Sequence, residues 1–474
     1  MTTARRVLFY SSISYANDRP SGAAISNLAQ METLAARGHQ CVLVCRLTAD
    51  RARRDDTLAR LTRQGVTVTS EDHPLFFLDR FAHGDVQVVA FTVKQFSEWP
   101  LHRRLRFPWY WNRRRSPFPR VLARRRRSLV DMLGTARRSP GSLGERLLTL
   151  GPWVASFVIE PVMQEGMASL EAVVTELAPD AMYIDGCLEF MQLVDVLKER
   201  GSLSAGCEVY AVFTAGFAMS FGPHARFQSD QAFLPASHVV SLYRSMSGFV
   251  TPSHFLGEYL EDASGLEVRY TVVHPRIASL APRQERSREP DRGFVTLINA
   301  SWIKGLSVFL ELARRLPDVP FALVTTWGDL GRPEQRRLEA LANVQVLKPV
   351  SPVDPIYDLT RVLLVPSLWE DPFPRVVNEA MLRGIPVLAS DRGGIPEAKH
   401  DVPYVLPVTP YLSAADYHRP PPPQDVDPWV DALGRLVGDP DHYREVSEAS
   451  RQASREFVRA QEARSIADAW HATR

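Results

Sequence analysis

Short apolar strands alternate with amphipathic helices along this chain in two separate series, and that doubled alternation limits the fold more than any other feature. The strand Val7–Tyr10 leads through a polar loop, Ser11 to Pro20, into the small-residue turn Ser21-Gly22-Ala23-Ala24. A helix follows with Ile25, Leu28, Ala29, Met31 and Leu34 at helical spacing, and Gly38 stops it before a second strand, Gln40–Cys45. Strand, helix, strand in this order is the βαβ unit of a parallel sheet. Val66–Thr69 and Val86–Phe91 read as further strands. From about residue 170 the alternation resumes, with strands Ala181–Ile184, Glu208–Phe213, Gly248–Thr251 and Val268–His274. Helices at Leu170–Leu177, at Phe190–Glu199 and from the cap Ser253 through Leu260 separate or precede them.

Residues 282–293 are charged, carry prolines and lack apolar periodicity, as a linker does. Beyond them, strands Phe294–Ile298, Phe321–Thr325, Val344–Leu347, Val362–Val365 and Pro386–Ala389 alternate with helices. Those helices are Gly305–Leu316, Pro333–Leu341 and Val376–Arg383. The expected architecture is α/β, with two doubly wound parallel-sheet domains facing a cleft. The first domain spans 1–281 with an insertion at about 72–165, and the second spans 294–455. The helical pattern over 456–474 is expected to pack back towards the first domain.

With 474 residues the chain exceeds one compact domain, and 45% hydrophobic against 23% charged residues excludes a disordered polymer. Arg5 and Arg6 run straight into the first strand, so no signal peptide is read. No uncharged apolar run reaches the roughly 18 residues of a membrane helix, and the expected location is the cytoplasm. Cys41, Cys45, Cys187 and Cys207 stand singly beside apolar stretches, as buried thiols do, and form no zinc-type cluster. Five lysines face fifty-one arginines, a coding bias that makes each lysine worth separate attention. That bias fits a high-GC bacterial source.

The stretch PSLWEDPFPRVVNEAMLRGIPVLASDRGGIPE, from Pro366 to Glu397, is the most informative. A strand delivers two acids, Glu370 and Asp371, into a loop, and a helix starting near Arg375 places Glu379 within its first turns. Free amides at such a helix start favour anions such as a diphosphate. On pattern alone the loop acids read equally well as helix caps or as ligand-holding groups.

This stretch resembles the acid-x7-acid signature of the retaining, group 1 GT-B glycosyltransferases, with their Glu-Ala-Met helix and Gly-Gly-x-Pro-Glu turn. The resemblance implies two Rossmann-like domains and a nucleoside diphosphate sugar as donor. In that family the first acid contacts the donor sugar and the second holds the ribose. By spacing, Asp371 takes the first role and Glu379 the second. Glu370 stands one residue early, so either Asp371 replaces the usual glutamate or Glu370 swings in. Pro374 replaces the usual glycine and has no amide to offer, which moves the phosphate donors to Arg375 and Val376, beside Phe373.

A second match opens the later half. Phe294–Gly305 resembles the family's strand followed by Arg-x4-Lys-Gly, whose cations hold the diphosphate; Lys304 matches, and Asn299 stands at the arginine. Positive charge at a helix start is not explained by the helix dipole, which favours it at the other end. Ser21 and Gly22 resemble the glycine-rich loop under donor and acceptor. The base-holding loop of the family falls at Lys348, Pro349 and Val350. The histidine often found near the acceptor has no match at Phe213-Thr-Ala-Gly216, leaving Asp185 and Thr214 as acceptor candidates. His224, His254 and His274 read as ordinary surface or packed histidines.

The resemblance implies transfer on one face of the sugar, with retention, no metal ion and no cofactor. Two rivals remain: a non-catalytic or pseudo-glycosyltransferase GT-B protein that binds or couples a nucleotide-linked donor, and a GT-B epimerase. Residues 102–146 hold fourteen arginines, including Arg113–Arg115 and Arg124–Arg127, among Phe107, Trp109, Tyr110, Trp111 and Phe118. A solvated or partner-covered insertion ranks first for this block, and a contact with an anionic surface or a protein second. Nucleic acid ranks last, because no nucleic-acid fold motif accompanies the block.

Overall fold

A computed structural model of the chain describes residues 4–15, 22–48, 51–73, 76–94, 170–216, 219, 221–224, 236–277, 293–325, 331–350, 352–417 and 419–470. Ser21, the arginine block 102–146 and the linker up to residue 292 lie outside the described residues. The chain divides into two compact units, Met1–Val212 with Phe227–Phe249, and Phe213–Arg226 with Val250–Arg474.

The first unit holds strands β1 (Arg6–Ser14), β2 (Gln40–Arg46), β3 (Thr69–Asp72), β4 (Phe76–His83), β5 (Val86–Val93), β6 (Ala181–Asp185) and β7 (Glu208–Val212), in the order β3-β4-β5-β2-β1-β6-β7. Helices α1 (Gly22–Ala36), α2 (Arg51–Arg63), α3 (Leu188–Glu199) and α4 (Ala236–Arg244) belong to it, together with a helical stretch over 170–177. Strands β1, β2, β5, β6 and β7 run parallel, and their apolar runs are buried along their length, as in a sheet covered on both faces. The sheet is not wholly parallel, however. The β4–β5 hairpin, turned by Gly84 and Asp85, and the β3–β4 pair are antiparallel. Two expectations shift here. Helix α2 and strand β4 appear where no element was read, and the strand expected at Val66–Thr69 begins only at Thr69. Val66 serves instead to end α2, its amide bonding Leu61 O at 3.0 Å past Gly65, which has a φ of +82°. The cysteines are free, and burial pushes the thiols of Cys41, Cys45 and Cys207 up to about 12, so they behave as small apolar side chains.

The division between the units falls inside strand β8 (Gly248–Thr251). The second unit continues with α5 (His254–Ser264), where Ser253 Oγ accepts the Leu256 amide at 3.2 Å as the expected cap, and with β9 (Tyr270–Val272). Its sheet comprises β10 (Phe294–Ile298), β11 (Phe321–Val324), β12 (Val344–Leu347), β13 (Thr360–Val365), β14 (Val387–Ser390) and β15 (Val405–Leu406). These are parallel throughout and ordered β12-β11-β10-β13-β14-β15. Numbered from β10, that order is 3-2-1-4-5-6, the doubly wound order of dinucleotide-binding sheets. Around it lie α6 (Leu306–Arg315), α7 (Arg332–Glu339), α8 (Asp354–Leu359), α9 (Arg375–Leu382), α10 (Ile395–Lys399), α11 (Asp427–Gly438) and α12 (Pro440–Ala463). Their apolar stripes meet in one core that includes Phe309, Phe321, Val377, Leu388, Trp429 and Tyr443. Within this unit the end of α12 returns to residues 275–277: Gln461 Nε2 donates to Pro275 O at 2.7 Å and its Oε1 accepts the Ile277 amide at 3.2 Å.

Candidate functional site

In a doubly wound sheet the chain leaves in opposite directions from the two strands that flank the change of strand order, and their carboxyl-end loops frame a crevice. In the second unit those strands are β10 and β13. The loop after β10 carries Asn299 and a single 3-10 turn, Trp302–Lys304, and the loop after β13 carries the two acids. Two glycine contacts lock the loops into their shape. Gly305 has a φ of +83°, and a Cβ there would fall 1.9 Å from Pro366 O, so the lysine turn lies directly against the acid loop. Leu368 N donates to Ile303 O at 2.8 Å across the same seam. On the far side, a Cβ on Gly394 would fall 2.0 Å from Pro372 O, and the Gly394 amide donates to Asp371 O at 2.7 Å. The Gly-Gly of the motif is thus a steric need of close packing against the acid loop.

Lys304 pairs with Asp371 and lies over the Trp369 ring, 4.8 Å from its centroid. Asp371 is buried, with Ser367 Oγ 3.5 Å from the same carboxylate. Glu370 faces Arg392, whose Nη1 stands 3.5 Å from its Oε1. Neither acid caps α9: its cap residue is Pro374, and no side chain closes that end. The capping alternative is therefore excluded, and the helix start keeps amides for an anion. Glu379, one turn in, receives the Tyr357 hydroxyl on Oε2 at 2.8 Å and Arg375 Nη2 against Oε1 at 3.1 Å.

Asn299 ends β10 with a φ of +70°, its amide donating to Val324 O at 3.0 Å. Its side-chain Oδ1 is buried without a hydrogen-bond partner among the described residues. A non-glycine residue held in the left-handed region with an unsatisfied buried oxygen is the kind of strain that collects at functional sites. Asn299, Lys304, Glu370, Asp371, Arg375, Val376 and Glu379 thus all stand on the two crevice loops or on the helix that follows. Phe373 is buried and stacks on Phe457 at 5.6 Å, and Val376 packs on the core. Val350 is 45% exposed beyond β12, the edge strand.

In the first unit the strand order changes between β1 and β6. Asp185 ends β6 and is buried, with Ser11 Oγ at 3.4 Å, and Asn27 Nδ2 donates to that hydroxyl at 3.4 Å. Gly22 opens α1, and Thr214 is half-buried in the second unit. Sequence reasoning missed the residues that hold the acids. Arg392 and Tyr357 have no signature of their own, and His224 became visible only once Tyr417 Oη was found 3.2 Å from its Nδ1. His254 and His274 are tied to Glu397, through the His254 amide to Oε2 at 2.9 Å and His274 Nε2 to Oε1 at 2.7 Å. No group of three or more metal-ligating side chains occurs among the described residues.

Comparison with known proteins shows what this part of the chain is similar to. Residues 289–439 match the family model described as glycosyl transferases group 1. This part of the second unit is similar to a group 1 glycosyltransferase domain. It contains both crevice loops and α9. Two curated relatives match the chain in part. One is an uncharacterized 42.6 kDa protein in the cps region of Klebsiella pneumoniae, 24% identical, covering 35% of this chain and 42% of the relative. The other is the D-inositol 3-phosphate glycosyltransferase of Corynebacterium urealyticum, 31% identical, covering 37% and 44%. The chain spans less than half the length of the curated relatives it matches. Solved structures align over nearly the whole chain: sucrose-phosphate synthase from Thermosynechococcus elongatus (TM-score 0.58, 16% identity, 97% of each chain) and S. aureus TarM (0.59, 10%, 99% and 98%). Anabaena Alr3699/HepE, solved in complex with UDP-glucose, aligns with a TM-score of 0.56 at 14% identity, over 96% and 98%. The fold of the chain is GT-B, with two Rossmann-like domains. No described helix is long and apolar enough to cross a membrane.

Proposed function

We propose that the chain is a retaining glycosyltransferase, transferring a sugar from a nucleoside diphosphate sugar to a hydroxyl-bearing acceptor in the bacterial cytoplasm. The observation that carries this reading is the convergence of the Lys304 turn and the Glu370–Asp371 loop at the strand-order change of a group 1 domain. Lys304 and the amides from Arg375 onward take the diphosphate, and Asn299 adds a hydrogen bond where the family has an arginine. Glu379, already oriented by Tyr357 and Arg375, holds the ribose. One of the two loop acids, Asp371 or Glu370, takes the sugar hydroxyls. Asp185, at the strand-order change of the first unit, is the candidate for holding the acceptor.

In the step itself the C1–phosphate bond breaks and the acceptor oxygen bonds C1 on the same face. The acceptor proton passes to the departing phosphate oxygen, and Lys304 stabilises the charge growing there. Neither a metal ion nor a cofactor is required by this scheme. A thermal-shift panel with UDP, GDP, ADP, dTDP and CDP tests it, on wild type, Lys304→Ala and Glu379→Ala. A nucleotide at a hundred times its dissociation constant adds about 2.7 kcal/mol of stability. A shift with one nucleotide, absent in both variants, supports the donor site. No shift with any of the five refutes it.

A further inference from the structure

The acid loop is backed by the Gly393–Gly394 turn, and a third stretch of the second unit, residues 250–277, fastens that turn from behind. Glu397, in the first turn of α10, receives two donors from this stretch. The His254 amide, which opens α5, reaches Oε2 at 2.9 Å, and His274 Nε2, two residues beyond β9, stands 2.7 Å from Oε1. A carboxylate only accepts, so the imidazole is the donor. Both side chains are largely covered, His274 at 15% exposed and Glu397 at 23%. The donor scheme above assigns nothing to either residue.

From Glu397 the contacts run unbroken to the acid loop. A Cβ on Gly393 would fall 2.3 Å from Asp371 O, and one on Gly394 would fall 2.0 Å from Pro372 O and 3.0 Å from Ser253 Oγ, the cap of α5. The turn is therefore pressed between the acid loop and the start of α5. Across that seam the Gly394 amide donates to Asp371 O at 2.7 Å. A second route passes through rings: His274 lies 4.9 Å from Phe373, in the acid loop itself, and 5.2 Å from Phe457 of α12. The stretch is pinned again beyond His274, where Gln461 bonds residues 275 and 277 and Arg276 Nη2 donates to Arg464 O at 2.8 Å. Two donors on one carboxylate fix the turn in orientation as well as position, which apolar packing alone does not.

We propose that Glu397 and His274 are positioning residues: through them the α5–β9 stretch holds the glycine turn, and with it the backbone of the acid loop, in the form that receives the nucleotide. The proposal rests on the nucleotide-sugar reading above and gives these two residues no contact with the donor. Its consequence is reciprocal. Nucleotide bound at the loop tightens this latch by the same factor as the latch tightens nucleotide binding.

The backbone allows a test that leaves Glu397 and His274 in place. His254 is the first residue of α5, where proline is favoured, and Ser253 before it is already extended at φ −157° and ψ 160°, as a residue preceding proline must be. His254→Pro removes the amide donor to Glu397, while His254→Ala removes only an exposed ring. Calorimetry is run with whichever of UDP, GDP, ADP, dTDP and CDP the wild type binds. His254→Pro should weaken binding by about fivefold or more, the size of one hydrogen bond to a charged group, and His254→Ala should bind as the wild type does. His274→Gln, which keeps a donor near the place of Nε2, should retain more affinity than His274→Leu. Hydrogen exchange separates positioning from general destabilisation. In His254→Pro the Gly394 amide should exchange faster by a larger factor than the Leu363 amide of β13, which opens only with the whole unit. Equal binding by wild type and His254→Pro, or exchange that rises equally at both amides, overturns the proposal and spares the nucleotide reading. A wild type that binds none of the five nucleotides overturns both.

Discussion

Tyr357, fully buried in α8, donates its hydroxyl hydrogen to Oε2 of Glu379 over 2.8 Å, so the second motif acid is held from inside the core. Burial, and then the Glu379 carboxylate, raise the phenol well above its ordinary value and keep it a donor at any working pH. Tyr357→Phe keeps the volume and removes the hydrogen bond. The expected cost is about 1 kcal/mol, modest because Glu379 retains Arg375 and part of its contact with water. Urea unfolding measures it, and a variant as stable as wild type would mean that the bond contributes nothing.

Lys399 ends α10 with its side chain fully buried, donating from Nζ to Val387 O at 2.7 Å. Burial brings its pKa down from 10.5 to about 7. Between those values the unfolded chain carries a proton that the folded chain lacks. Stability should therefore rise as pH increases from about 7 towards 10.5, by at most ~1.4 kcal/mol per pH unit. Below about pH 7 both states are protonated, and this contribution vanishes. Lys399→Met should remove the slope while staying folded at neutral pH. Equal slopes for wild type and variant between pH 7 and 9 would sink the assignment.

Gly394 offers a purely steric test, because its φ lies in a region any residue adopts. A Cβ there meets Pro372 O at 2.0 Å, so Gly394→Ala must push the acid loop and the glycine turn apart. Overpacking of this kind costs about 1–3 kcal/mol, and nucleotide binding should fall with it. Gly434→Ala, in α11 with nothing within 4 Å of the added carbon, serves as the control and should be neutral or slightly stabilising.

The later half was legible because its strands are short apolar runs with clear breaks, and β10 and β12 begin and end where the sequence put them. The site was legible to the extent that it lies on one continuous stretch, with Lys304 the exception that resemblance supplied. What stayed hidden is tertiary. Val66-Thr-Val68 alternates like a strand, yet Val66 is used up in closing α2 past Gly65. The antiparallel β4 was missed because Asp79, a charged residue in a buried position, breaks its apolar pattern. The partner that satisfies Asp79 is Arg54, 2.5 Å away from another element. His224 read as ordinary for the same reason, since its neighbours Tyr259 and Tyr417 lie far along the chain.

Lys304 and Asp371 give the sharpest prediction, because one contact bears on both stability and binding. Lys304→Met leaves Asp371 as a buried carboxylate with its cation gone. Losing one partner of a fully buried pair costs about 3–5 kcal/mol, and because the Lys304 side chain is 24% exposed the expected loss is smaller, about 2 kcal/mol. Lys304→Met with Asp371→Asn should recover most of it, giving a coupling of about 1 kcal/mol or more in a double-mutant cycle. A coupling near zero would mean that the pair does not persist in solution. Asp371→Asn alone removes an anion from beside the proposed diphosphate position and frees the lysine, so plain nucleoside diphosphate should bind several-fold tighter at low salt. Weaker binding would instead mean that Lys304 needs its partner to point at the phosphates. Either change confirms that Asp371 acts on the nucleotide through the lysine, and an unaltered affinity shows that it does not.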